Sequence, residues 1–223
     1  MSSILTHPDQ VYFDPAKKLV KLFWNEKIDH ALAPPSGAEY YLRGGIAFPS
    51  LTESGGFGAS RDVTGFAVMV AYCFQNRKYY VVGECEFETI DHVLNAEDNG
   101  IAITGACSFF NKMWTTYFCD SYYWSGHSET VQKYILQVLR SQMINPKPHF
   151  IEISPGVPGQ QQQAVYELLQ RNAVHWRKAG KVHEGFQMYD ARNMQNAPCA
   201  VKAVMDCMTG LTKFPYRKPV DEE

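Results

Sequence analysis

The 223-residue sequence predicts an α/β fold with a mixed sheet: an antiparallel meander of three strands, then helices that alternate with parallel strands. Three observations carry this expectation. The run Gly65 to Phe74 (GFAVMVAYCF) is continuously apolar, as a central strand covered on both faces must be. Asn76-Arg77-Lys78 turns that run directly into another, Tyr79 to Phe87 (YYVVGECEF), so the two lie side by side and antiparallel. Beyond residue 88 the apolar spacing changes, and segments with helical spacing begin to alternate with short strand-like runs.

Taken in order, Gln10 to Trp24 (QVYFDPAKKLVKLFW) places two apolar stretches around Asp14-Pro15-Ala16-Lys17-Lys18 and reads as a short hairpin. Ala33-Pro34-Pro35-Ser36-Gly37 breaks the chain, which makes residues 1–37 an N-terminal extension or hairpin on a single domain spanning 1–223. Tyr40 to Pro49 (YYLRGGIAFP) is the first core strand, and Leu51 to Ser60 (LTESGGFGAS) is a loop because Gly and Ser dominate it. A helix is expected within Thr89 to Met113, interrupted near Gly100, followed by a strand over Thr115 to Asp120 (TTYFCD). Ser128 to Ile144 is a helix with Ser128 as N-cap and one apolar face formed by Val131, Ile135, Val138 and Leu139. Asn145-Pro146 ends it, His149 to Ile153 (HFIEI) is a strand, and a Pro/Gly turn leads to a helix over Gln160 to Gln170. In the last quarter only Ala200 to Met208 (AVKAVMDCM) reads as a helix.

Composition narrows the function classes. The apolar share of 45% and the charged share of 20% are those of an ordinary globular chain, and no apolar run approaches the roughly 18 residues that cross a bilayer. Met1 to Gln10 lacks the basic and apolar regions of an export signal, so a cytoplasmic location is expected, that of the infected host cell if the protein is viral. The six cysteines are widely spaced with no CxxC pair, which reads as reduced cysteines used as small core residues rather than a zinc site. A net charge of −2 supplies no global field for nucleic acid, though cations gathered on one face still can. No GxxxxGK[ST] phosphate loop occurs, the SPGVPG turn at 154–159 is no dinucleotide fingerprint, and the seven scattered histidines accompany no nucleophile turn.

Carboxylates are the remaining candidates. A nuclease that works through two divalent ions needs several acids converging on strand ends, because the ions must be held about 4 Å apart at one phosphate. Asp120 closes the expected strand TTYFCD, and Glu152 lies within HFIEI. Asp120 is either such a ligand or a turn and capping aspartate beside Ser121, and Glu152, in an apolar strand, needs either a metal or another partner. The aromatic cluster Tyr117, Phe118, Tyr122, Tyr123 and Trp124 belongs in a core by its bulk, with base stacking as the alternative.

The order of three strands, helix, strand, helix, strand, helix is that of ribonuclease-H-like folds, and three segments carry a closer resemblance. Gly58 to Val70 (GASRDVTGFAVMV), Phe150 to Gln160 (FIEISPGVPGQ) and Leu211 to Pro215 (LTKFP) occur in the order in which the nuclease domain of tailed-phage DNA-packaging terminases has a Gly-rich loop with Asp, a strand-acid-turn-helix segment and a C-terminal element. That resemblance, from Tyr40 to the end, implies a ribonuclease-H-like endonuclease that cuts double-stranded DNA during viral genome packaging. It also implies a pair of Mg²⁺ or Mn²⁺ ions, and other packaging proteins as partners. It assigns catalysis to Asp120, Glu152 and Asp62, and metal binding to these and Asp221, with Asp190 and Asp206 in reserve. The sequence departs from the family in its first core strand, where Arg43 to Pro49 contains no acid. The alternative is therefore a catalytically degenerate nuclease-like domain that binds DNA or a protein partner.

Overall fold

The computed structural model describes residues 8, 10–24, 33–47, 64–88, 109–110, 112–125, 149–153, 160–189 and 197–217. They form a mixed α/β fold on one mixed sheet whose strands pair mostly antiparallel. The first hairpin joins β1 (Gln10–Asp14) to β2 (Leu19–Phe23). Asp14 builds its turn by accepting the backbone N–H groups of Ala16 and Lys17, each at 3.1 Å. The meander follows as β3 (Glu39–Ala47), β4 (Thr64–Cys73) and β5 (Lys78–Glu88), all antiparallel. Asn76 shapes the β4–β5 turn, accepting the Lys78 N–H at 3.1 Å and donating its side-chain amide to Tyr80 at 2.7 Å.

Beside β3, on the edge away from β4, two strands share the available length. β2 pairs with its beginning at Glu39 and Tyr40, and β6 (Ser121–Trp124) runs parallel to it at Gly44 and Gly45. β7 (His149–Glu152) adds in parallel to β6, while β8 (Val174–His175) adds in parallel to β5 at the opposite edge. The C-terminal ends of β3, β6 and β7 therefore lie along one edge of the sheet.

Alternation of side chains divides the core between the two faces. One face buries Tyr40, Leu42, Ile46, Ala67, Met69 and Tyr122 against Phe109, Phe110, Met113 and Tyr117. The other buries Tyr41, Phe66, Val68, Val70 and Val81 beneath three helices: α1 (Gln160–Gln170), α2 (Lys181–Met188) and α3 (Cys199–Lys213). α3 crosses β3, β4 and β6 and turns Val201, Val204, Met208 and Leu211 inward, an apolar stripe at helical spacing. Each such side chain contributes about 1.5–3 kcal/mol by leaving water.

One expected strand is a helix. Residues 112–117 are helical, and the strand begins after Asp120 rather than ending on it. Phe109, Met113 and Tyr117 recur four apart and are each at most 1% exposed, so burial of one helical face outweighs the strand preference of Thr115 and Thr116. Phe118 closes the helix at φ 56°, with its N–H on the Trp114 carbonyl at 2.9 Å. β8 and α2 were not legible in the sequence. The expected loop at 51–60 and helix at 128–144 lie outside the described residues. Of the described cysteines, Cys73, Cys85, Cys119 and Cys207 are buried and in no disulfide, in keeping with their reading as core residues, and Cys199 is half-buried and likewise in no disulfide. No described helix is long and apolar enough to cross a membrane.

Candidate functional site

The edge where β3, β6 and β7 end is the place to look for a site, since strand ends in α/β folds gather groups from several segments around one crevice. β3 arrives there through Gly44 and Gly45, and close packing explains both. A Cβ on Gly44 would lie 2.0 Å from the Tyr122 ring on one face. A Cβ on Gly45 would lie 2.0 Å from the Ala203 carbonyl oxygen of α3 on the other. The helix backbone therefore occupies the space that a side chain at position 45 would need. Ala47, the next residue of β3 on that face, is 4% exposed.

β6 ends at Trp124, and Ser125 follows it. Ser125 donates its backbone N–H to Asp206 Oδ2 at 2.8 Å and its hydroxyl to Oδ1 at 2.7 Å. Asp206 projects from α3, is 7% exposed, and has its carboxyl pushed up to about 7 by burial, against the opposing pull of the two Ser125 hydrogen bonds and of Lys202. Both carboxyl oxygens already have partners from the end of β6.

Asp120 and Glu152 do not meet. Ser121 is level with His149 and Trp124 with Glu152, so the two acids sit at opposite ends of the β6–β7 pair, about 13 Å apart along the strands. Asp120 stands at the beginning, its Oδ1 accepting the Ser121 hydroxyl at 2.7 Å and lying 3.5 Å from Arg43 Nη1. Its carbonyl accepts the His149 N–H at 2.6 Å, so its backbone also helps set the β6–β7 register. Glu152 ends β7 exposed, and alternation places it on the face of Trp124, opposite the one where Ser125 meets Asp206. Asp62, Asp190 and Asp221 lie outside the described residues.

Another carboxylate is spent on structure. Glu84, 5% exposed on β5, accepts the N–H groups of Lys181 at 2.8 Å and Val182 at 3.1 Å, capping α2. Burial raises its carboxyl, and the two N–H groups oppose that. Arg43, a cation inside an apolar strand, lies 4.2 Å over the Tyr41 ring and donates to the Leu42 carbonyl at 2.8 Å.

Among the described residues no three His, Cys, Asp or Glu side chains converge to hold a metal. Mg²⁺ or Mn²⁺ asks for several oxygen donors around one point. Asp206 brings one carboxylate, already bonded to Ser125, so the described residues do not fit such an ion. The sequence held Asp206 in reserve, but its partner Ser125, the cap Glu84 and the charge of Arg43 were missed. The only local sign of any of them was a lone arginine amid YYLRGGIAFP.

No protein-family model and no curated protein matches the chain. Among solved structures, it is similar to the crystal structure of the fowlpox virus Holliday junction resolvase, with a TM-score of 0.34 and 8% identity over 77% of this chain and 97% of that one.

Proposed function

We propose that the chain is a ribonuclease-H-like, nuclease-like domain that binds DNA without cutting it. The sheet supports the fold half of this reading: a meander of β3, β4 and β5, followed by β6 and β7 added in parallel beyond β3. The DNA half rests on the terminase resemblance of GASRDVTGFAVMV and FIEISPGVPGQ, which also suggests a viral packaging complex as the setting.

The loss of cutting rests on one observation. Where β3 and β6 lie side by side, the backbone of α3 fills the space above Gly45 and the nearby Asp206 is closed onto Ser125. An aspartate at position 45 has no room, and among the described residues the sealed carboxylate of Asp206 has no second acid with which to hold ions on both sides of a scissile phosphate.

Cleavage of supercoiled plasmid tests this, using the purified chain with Mn²⁺, Mg²⁺ or EDTA beside Asp62→Asn, Asp120→Asn, Glu152→Gln and Asp206→Asn. The plasmid is expected to stay supercoiled throughout, while a gel-shift of labelled DNA persists in EDTA. Metal-dependent nicking that any of these substitutions abolishes would overturn the reading and make the chain a metal-dependent endonuclease.

A further inference from the structure

The helix-covered face of the sheet carries a line of rings that α3 does not fully cover. Tyr41, Tyr72 and Tyr79 are direct cross-strand partners on β3, β4 and β5, and by alternation all three point to that face. The chain leaving α3 lays Tyr216 beside the row, 5.0 Å from Tyr41 and 5.1 Å from Phe74, and Phe74 and Tyr79 stand 5.1 and 4.8 Å from Tyr72. Tyr72, Phe74, Tyr79 and Tyr216 keep part of their surface in solvent. Next to this row Phe214 stacks on Tyr123 at 6.0 Å with planes 8° apart and is still 52% exposed.

A sealed core explains buried rings, but not the charges around these. Arg43 lies over Tyr41, Lys213 precedes Phe214, and Arg217 follows Tyr216. Lys213 and Arg217 are exposed. Among the described residues, the acids nearby lie beside cations: Glu39 and Asp14 share Lys17 at 3.3 and 3.7 Å, and Asp120 lies 3.5 Å from Arg43. Rings with cations beside them suit a chain that alternates flat bases with phosphates, and only an unpaired strand has base faces free to stack.

We infer that this surface binds single-stranded nucleic acid, with a base stacked on Phe214 and phosphates drawn to Lys213 and Arg217. The inference rests on the DNA-binding reading and names its strand form and its surface.

Fluorescence anisotropy with a labelled single-stranded oligonucleotide, and with the duplex of the same sequence, tests it across a salt series. The single strand is expected to bind more tightly. Phe214→Ala is expected to weaken it about tenfold, the scale of one lost base stack. Arg217→Ala is expected to lower the slope of log affinity against log salt by about 0.7, one phosphate contact on a single strand. Both side chains are exposed, so unchanged thermal melts show that the variants are folded, and Lys178→Ala, an exposed cation between β8 and α2, serves as the control. Equal binding of the two forms, or single-strand binding that both variants leave intact, overturns the inference and leaves the DNA-binding reading standing. Absence of binding to either form brings down both.

Discussion

The two ends of α3 meet the same sheet in opposite ways. Along Ala203 to Gly210 the helix is pressed onto β3 and β6 so closely that glycine is the only residue accommodated at positions 45 and 210, and Asp206 is tied to Ser125. Beyond Lys213 the chain leaves the sheet partly open, and rings and cations occupy its surface. Close packing removes water, space and free lone pairs, which are what ion-assisted chemistry requires. The looser end keeps exposed groups of the kind that recognition uses. Among the described residues, the edge expected to be catalytic is closely packed.

The largest effects should come from adding one carbon at the tight end. At Gly45 a Cβ meets the Ala203 carbonyl at 2.0 Å, and at Gly210 it meets the Tyr123 ring at 2.1 Å. Backbone and a buried ring have little room to yield, so Gly45→Ala and Gly210→Ala are each expected to cost about 3 kcal/mol or more, the upper range for overpacking. Urea unfolding at constant m-value measures this. A cost below about 1 kcal/mol at Gly45 would mean that α3 lifts easily, and the contrast between its two ends would fail.

The elements that were legible in the sequence owe this to short-range patterns. β4 and β5 could be read because both are long, apolar and joined by a tight turn at Asn76 and Arg77. Residues 115–120 suggest a strand because Thr115, Thr116 and Tyr117 favour strands locally, whereas the recurrence of Phe109, Met113 and Tyr117 at every fourth position is the signal that decides the structure. That single shift moved Asp120 from the end of a strand to the beginning of the next. β8 is two residues long and has no period to detect. Ser125 and Asp206 are 81 positions apart, and the pairing of a serine with an aspartate has no local signature. Gly44 and Gly45 were visible from the start, but the ring and the helix that require them belong to tertiary packing.

Asp206 offers a second, smaller test of the tight end. Folding holds its proton up to about pH 7, whereas the unfolded chain releases it near pH 4, so the folded state binds more protons between those values. Its stabilising contribution is therefore complete below about pH 4 and is lost as pH rises to about 7. Between pH 5 and 8 that amounts to roughly 3 kcal/mol, or about 6–12 °C in Tm for a chain of this size. Asp206→Asn cannot ionise, and the gap between its melts at pH 5 and pH 8 should be narrower than that of the parent by that amount. Equal gaps would show that the carboxyl is not sealed, and a rise in parent Tm with millimolar Mn²⁺ that the variant lacks would make Asp206 a metal ligand.

The smallest effect separates structure from recognition within the open row. Tyr216 donates its hydroxyl to the Lys17 carbonyl at 2.8 Å, tying the C-terminal segment to the β1–β2 turn, while its ring lies between Phe74 and Tyr41. Tyr216→Phe removes the tie and keeps the ring, so it should cost about 0.5–1.5 kcal/mol, one hydrogen bond, and leave single-strand affinity unchanged. Phe214→Ala should do the reverse, because Phe214 is half in solvent and its truncation leaves no cavity. Melting curves and anisotropy titrations on the same two proteins check both expectations. If Tyr216→Phe lost affinity in proportion to stability, the row would act in binding only by holding the fold together, and the two ends of α3 would differ in tightness but not in role.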